Sequence, residues 1–127
     1  MDQLIGVTDC YLFQGVANVL VFQRVVGPRV FGLVPDEAAI AAVLPRAQIV
    51  LAELARALGT GPYLVGADLT LADLHLAPQL DLFALTPEWE SLTAPHPELR
   101  AWLTRLLARP SLQATTWERV AARARAA

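Results

Sequence analysis

Gly66-Ala67-Asp68-Leu69-Thr70-Leu71-Ala72-Asp73-Leu74 decides the reading of this chain. Thr70 stands three residues before Asp73. At that spacing a hydroxyl accepts from the amide of the third helical residue, while that residue's carboxylate reaches back to the amide of the cap. Asp takes the place of the usual Glu. Leu69 before the cap and Leu74 four positions after it supply a hydrophobic staple, so two local devices predict one helix start. From there the pattern runs through Leu76, Leu80, Leu82, Phe83 and Leu85, apolar on most sides, as suits a central element enclosed by others. Pro78 is expected to bend it.

Upstream, residues 2 to 26 contain no proline and read as one long helix ended by Gly27-Pro28. Its apolar residues, from Leu4 to Val26, leave no broad polar face, and such a helix needs burial on more than one side. After a turn-rich connector, Asp36 can cap a second helix whose Ile40, Val43, Leu44, Ala47, Val50, Leu51, Leu54 and Leu58 form one buried stripe. Gly59 ends it, and Pro45 predicts a kink or local break inside it. Downstream of the Thr70 helix lies a loop holding Pro87, Pro95 and Pro97. Pro97 is a favourable first-turn residue for a fourth helix lined by Leu99, Trp102, Leu103, Leu106 and Leu107. Arg109-Pro110 ends that helix, Ser111 can cap a short one, and Arg119, Arg123 and Arg125 make a basic tail. The expected fold is all-α, a bundle of four main helices plus a short C-terminal helix, in one domain over 1–127.

Composition narrows the function. The chain has 127 residues, 55% hydrophobic and 17% charged, against about 25% charged in ordinary domains. The net charge of −2 provides no basic field for nucleic acid or an anionic membrane, although every basic residue is Arg. A single cysteine, Cys10, excludes an internal disulfide, and Met1-Asp2-Gln3 does not open like a signal peptide, so a cytoplasmic setting is expected. The most membrane-like stretch, Cys10 to Gln23, is interrupted by Gln14 and Asn18 and falls short of the ~20 residues a span needs.

The chain resembles the C-terminal all-α domain of a glutathione S-transferase of bacterial type. The resemblance rests on Pro62-Tyr63-Leu64-Val65-Gly66, Leu69-Thr70-Leu71-Ala72-Asp73-Leu74, Pro95-His96-Pro97-Glu98-Leu99 with Trp102, and Ala108-Arg109-Pro110-Ser111, in that order. It implies that the complete protein has an N-terminal thioredoxin-like domain that binds glutathione and activates its thiol. That half is not in this sequence, which implies a fragment, a truncated gene or an engineered piece. The resemblance further implies a homo-oligomer, no cofactor bound by this domain alone, glutathione as co-substrate of the complete protein, and a small hydrophobic electrophile as the molecule selected here. A rival reading is a non-catalytic protein-interaction module of the same fold.

Individual residues fit that frame. Asp73 reads as a structural cap whose charge is held by backbone amides and the positive helix end, which makes it a poor base. Cys10 reads as a packed small hydrophobe. The resemblance implies that Asp9, Tyr11 and Phe13 on the first helix line the electrophile site or touch glutathione, against a plain solvent-facing Asp9. It implies that Trp117 and the basic tail close over that site, against ordinary packing. His75 and His96 have no companions at metal-ligand spacing, so no metal is expected. No residue of the chain is expected to be catalytic.

Overall fold

Both arms of the Thr70–Asp73 box close. The Asp73 carboxylate accepts from the Thr70 amide at 3.1 Å, and the Thr70 hydroxyl accepts from Ala72 at 3.3 Å. Helix α3 (Leu71–Phe83) follows. In the computed structural model, which describes residues 1–127, it is one of seven helices. Before it come α1 (Asp2–Phe31) and α2 (Glu37–Leu58), and after it α4 (Glu88–Thr93), α5 (Pro97–Leu107), α6 (Pro110–Ala114) and α7 (Trp117–Ala126). The fold is all-α, and the one extended pairing is an isolated bridge between Tyr63 and Gly66.

Helix α1 runs past its expected stop. Thr8–Ala17 and Phe22–Phe31 are wound in wide π turns, in which each amide reaches five residues back. The wider turn eases the clash between the Pro28 ring and the preceding carbonyls, so Pro28 sits inside the helix. Gly27 is needed there, because a Cβ would lie 3.0 Å from the Phe22 carbonyl oxygen. The true end is Gly32 at φ +65°, a left-handed cap whose amide bonds to Gly27.

Asp36 caps α2 by accepting from Ala39 at 3.1 Å. Contrary to the break expected at Pro45, α2 is continuous over 22 residues. Pro78 likewise interrupts nothing in α3. Both prolines are exposed, and the carbonyls they orphan belong to exposed Ala41 and Leu74, on the side of each helix open to solvent. The proline-rich loop holds a short helix, α4, which the sequence reading missed. Its first turn carries Glu88 and Glu90, the favourable sign at a helix start. Ser111 does not cap α6. It lies inside that helix, with Pro110 at the first position, and Thr116 caps α7 instead.

One cluster of 25 buried residues forms the core. Leu12, Val16 and Leu20 of α1 meet Ala47, Leu51 and Leu54 of α2, Leu76, Leu80 and Phe83 of α3, and Leu99, Trp102 and Leu106 of α5. Trp89 of α4 lies edge-on to Phe83 with centroids 5.6 Å apart. Cys10 is exposed rather than packed, because the buried stripe of α1 runs through Thr8, Leu12 and Val16 and leaves residue 10 on the far side. Helices α1 and α2 are both long and apolar enough to cross a membrane by length and composition, a broader result than the short stretch read from the sequence. Their buried stripes meet each other and α3 in the common core.

Arg24, near the end of α1, ties three elements together. Its guanidinium donates to Glu37 at the start of α2 at 2.6 and 2.9 Å, and to Glu88 at the start of α4 at 2.5 and 2.8 Å. Those hydrogen bonds, to Glu37 first and then to Glu88, hold Arg24 above the ordinary guanidinium range. Arg100 does the same between α5 and α4, reaching the Thr93 hydroxyl at 2.6 Å and the Glu90 carboxylate at 2.7 Å.

Candidate functional site

Every fourth residue along one side of α1 faces a matching series on α3. Ile5, Asp9, Phe13, Ala17 and Val21 make the first stripe, and Leu71, His75, Gln79 and Leu82 make the second. Ile5 lies with Leu71 and Leu74, Asp9 bonds to His75, and Phe13 to Val21 lie with Gln79 and Leu82. The order is the same on both helices, so they run parallel along this seam.

The seam opens into two hollows. A groove of about 310 Å³ is lined by Phe13, Ala17, Val21, Phe22, Val26 and Leu82, with Asn18 and Gln79 as its only polar members. That size and character suit a small apolar molecule. At the N-terminal end of the seam, Ile5, Leu71, Leu74 and His75 surround a second hollow of about 300 Å³. Between them Nε2 of His75 lies 2.5 Å from Oδ1 of Asp9. The carboxylate can only accept, so the ring nitrogen is the donor.

Of the four residues expected to contact substrate, Phe13 lines the larger groove, and Asp9 lines neither hollow but bonds to His75, a wall of the second. Tyr11 and Trp117 line neither hollow, and Trp117 is 80% exposed at the start of α7. Sequence reasoning missed the α3 wall. Gln79 and Leu82 carry no motif, and His75 was weighed only as a metal ligand. The repeat at four-residue steps was the available signal.

Asp73 is fully buried and belongs to the scaffold. Oδ1 accepts from the Leu64 amide at 3.0 Å and from Nε1 of Trp102 at 2.9 Å, while Oδ2 takes the amide and hydroxyl of Thr70. Four donors saturate the carboxylate and leave no lone pair aimed at a hollow. Asp81, near the C-terminal end of α3, is held above the usual carboxylate range by burial first and by the Glu118 charge of α7 second.

Residues 17–110 match the family described as glutathione S-transferase, C-terminal domain. The chain belongs to that family. It is 36% identical over 99 residues to a glutathione S-transferase of Hyoscyamus muticus, covering 78% of this chain and 46% of that protein. It is 38% identical over 97 residues to a probable glutathione S-transferase of Oryza sativa subsp. japonica, covering 76% of this chain and 44% of the relative. The chain thus spans rather less than half the length of these curated relatives. Among solved structures, glutathione S-transferase III in its apo form superposes with a TM-score of 0.79 at 31% identity, covering 95% of this chain and 53% of the other. Glutathione S-transferase I bound with lactoylglutathione gives 0.77 at 28% identity, with 88% and 52% covered. The two curated relatives are plant proteins, whereas the sequence resemblance was drawn to the bacterial type. The transferase C-terminal domain is common ground to both.

Proposed function

We propose that this chain is the electrophile-selecting, dimer-forming half of a cytoplasmic glutathione transferase that conjugates glutathione to small hydrophobic electrophiles, and that it does not conjugate by itself. The observation that carries the reading is the apolar groove between α1 and α3, about 310 Å³ with six of its eight lining residues hydrophobic. Such a groove works by burying and orienting the electrophile. Asn18 and Gln79, its polar members, are not bases, so activation of the thiol falls to the glutathione-binding half. Phe13 is a wall of the electrophile site in this reading, while Asp9, Tyr11 and Trp117 lie outside the lining of that groove and take no part in it. Self-association draws support from Val30, Phe31, Leu33 and Val34, all exposed where α1 turns into α2, and from Ile49, 70% exposed on α2.

The test is turnover of 1-chloro-2,4-dinitrobenzene with glutathione. The chain alone is expected to match the uncatalysed rate. Joined to the glutathione-binding half of one of the plant relatives, it is expected to turn over, and Leu82→Arg in the joined protein is expected to lower kcat/KM about tenfold or more. Turnover by the chain alone, or indifference to Leu82→Arg, would contradict the reading.

A further inference from the structure

Phe13, Phe22 and Phe31 recur along α1 at intervals of nine residues. In an α-helix nine residues make about two and a half turns, so successive members of such a series point to opposite sides. The segment Phe22–Phe31 is wound instead in π turns, where each turn takes roughly four and a half residues and nine make about two. Phe22 and Phe31 are thereby brought to one side, with ring centroids 6.3 Å apart and planes inclined by 38°, within the range of an aromatic pair. Gly27 lies between them. A Cβ there would stand 3.6 Å from Cε1 of Phe22, so the Phe22 ring leans along the helix over Gly27, in the direction of Phe31.

Phe22 lines the larger groove together with Phe13, Val21, Val26 and Leu82, whereas Phe31 is no part of that lining and is 63% exposed. Burial alone gives Phe31 little reason to be aromatic, yet the ring it meets is a groove wall. We propose that Phe31 is a positioning residue for the groove: its ring holds the Phe22 ring in the groove wall, and the π winding of this end of α1 is what brings the two rings together. Without that partner the half-buried Phe22 side chain regains rotamer freedom, which a ligand must then remove on binding. That the groove receives a ligand rests on the electrophile-site reading above; that Phe31 sets the place of Phe22 does not.

Methyl NMR of the intact chain and of its Phe31→Ala and Phe31→Tyr variants tests both parts. Without ligand, Phe31→Ala is expected to shift the methyl resonances of Val21, Val26 and Leu82, which share the groove lining with the Phe22 ring and feel its ring current. Phe31→Tyr keeps the aromatic pair and is expected to leave them in place. The core methyls of Leu99 and Leu106 stay unmoved in both variants and report an intact fold. Affinity for 2,4-dinitrotoluene is expected to fall about threefold in Phe31→Ala, within the worth of one aromatic pair, and to return in Phe31→Tyr. An exposed residue with no hold on Phe22 leaves the groove methyls unchanged in a folded Phe31→Ala chain, and that result overturns the proposal, as does an equal disturbance in Phe31→Tyr. If the natural chain does not bind 2,4-dinitrotoluene, the electrophile-site reading fails, and the ligand-free shifts still decide whether Phe31 positions Phe22. Phe31→Leu, which keeps apolar bulk without the ring, replaces Phe31→Ala if that variant does not fold.

Discussion

Asp73 and Asp9 each accept a hydrogen bond from a ring N–H across the bundle, Trp102 in one case and His75 in the other, at 2.9 and 2.5 Å. The difference is water. Asp73 is fully buried and surrounded by four donors, whereas the Asp9 side chain is 50% exposed and meets one ring. A buried carboxylate must have all its partners, and each partner buried with it depends on the carboxylate in return. A half-exposed one can exchange its partner for water at little cost. The same residue type therefore locks the lead-in loop, α3 and α5 together at one end of the bundle, and along the open α1–α3 seam it makes a single half-exposed bridge.

The largest expected effect comes from removing the buried member. Asp73→Ala orphans the Leu64 amide and the Trp102 indole as well as breaking the cap, and should cost about 3–5 kcal/mol in denaturant unfolding. A loss near 1 kcal/mol, the value of a helix cap alone, would erase the distinction drawn above. Arg24 lies between the extremes, its side chain 19% exposed against Glu88 at 13%. Arg24→Ala leaves Glu88 half-enclosed without its cation and should cost about 2 kcal/mol by the same measurement. Asp9→Ala should change stability by no more than about 0.5 kcal/mol, as for other exposed pairs.

The smallest effect has a sign set by pH. Burial and Glu118 raise the Asp81 carboxyl in the folded chain, so the folded state binds the proton more tightly than the unfolded state does. The stabilisation this gives is complete below the unfolded value near 3.8 and is lost as pH rises through the raised folded value. At neutral pH the charged Asp81 is a net cost. Asp81→Asn should therefore raise the melting temperature slightly at pH 7, by the equivalent of a few tenths of a kcal/mol after solvent screening, and lose that advantage in acid.

What the sequence made legible was local. The Thr70–Asp73 box, the Asp36 cap and Pro97 in the first turn of α5 all act within four residues, and each was read with its role. The residues that failed depend on distant partners or on which side of a helix meets water. Arg24 finds Glu37 and Glu88 at separations of 13 and 64 residues. Asp9 finds His75 at 66 residues, and no spacing rule joins two parallel helices. The local break allowed for at Pro45 does not form, and the exposure of that proline on the solvent side could not be seen in the sequence. Phe13 was placed in the site by family resemblance, and its opposite wall of Gln79 and Leu82 became visible only when α3 was set beside α1.

The central claim is that the α1–α3 seam receives the ligand while the Asp73 end is scaffold. Methyl NMR of the chain titrated with 2,4-dinitrotoluene, an unreactive likeness of the chloroaromatic electrophile, tests it most directly. Shifts are expected at Ala17, Val21, Val26 and Leu82, with the methyls of Leu64, Ala72 and Leu99 near Asp73 unmoved. Shifts absent from the seam, or equally large around Asp73, would contradict the account.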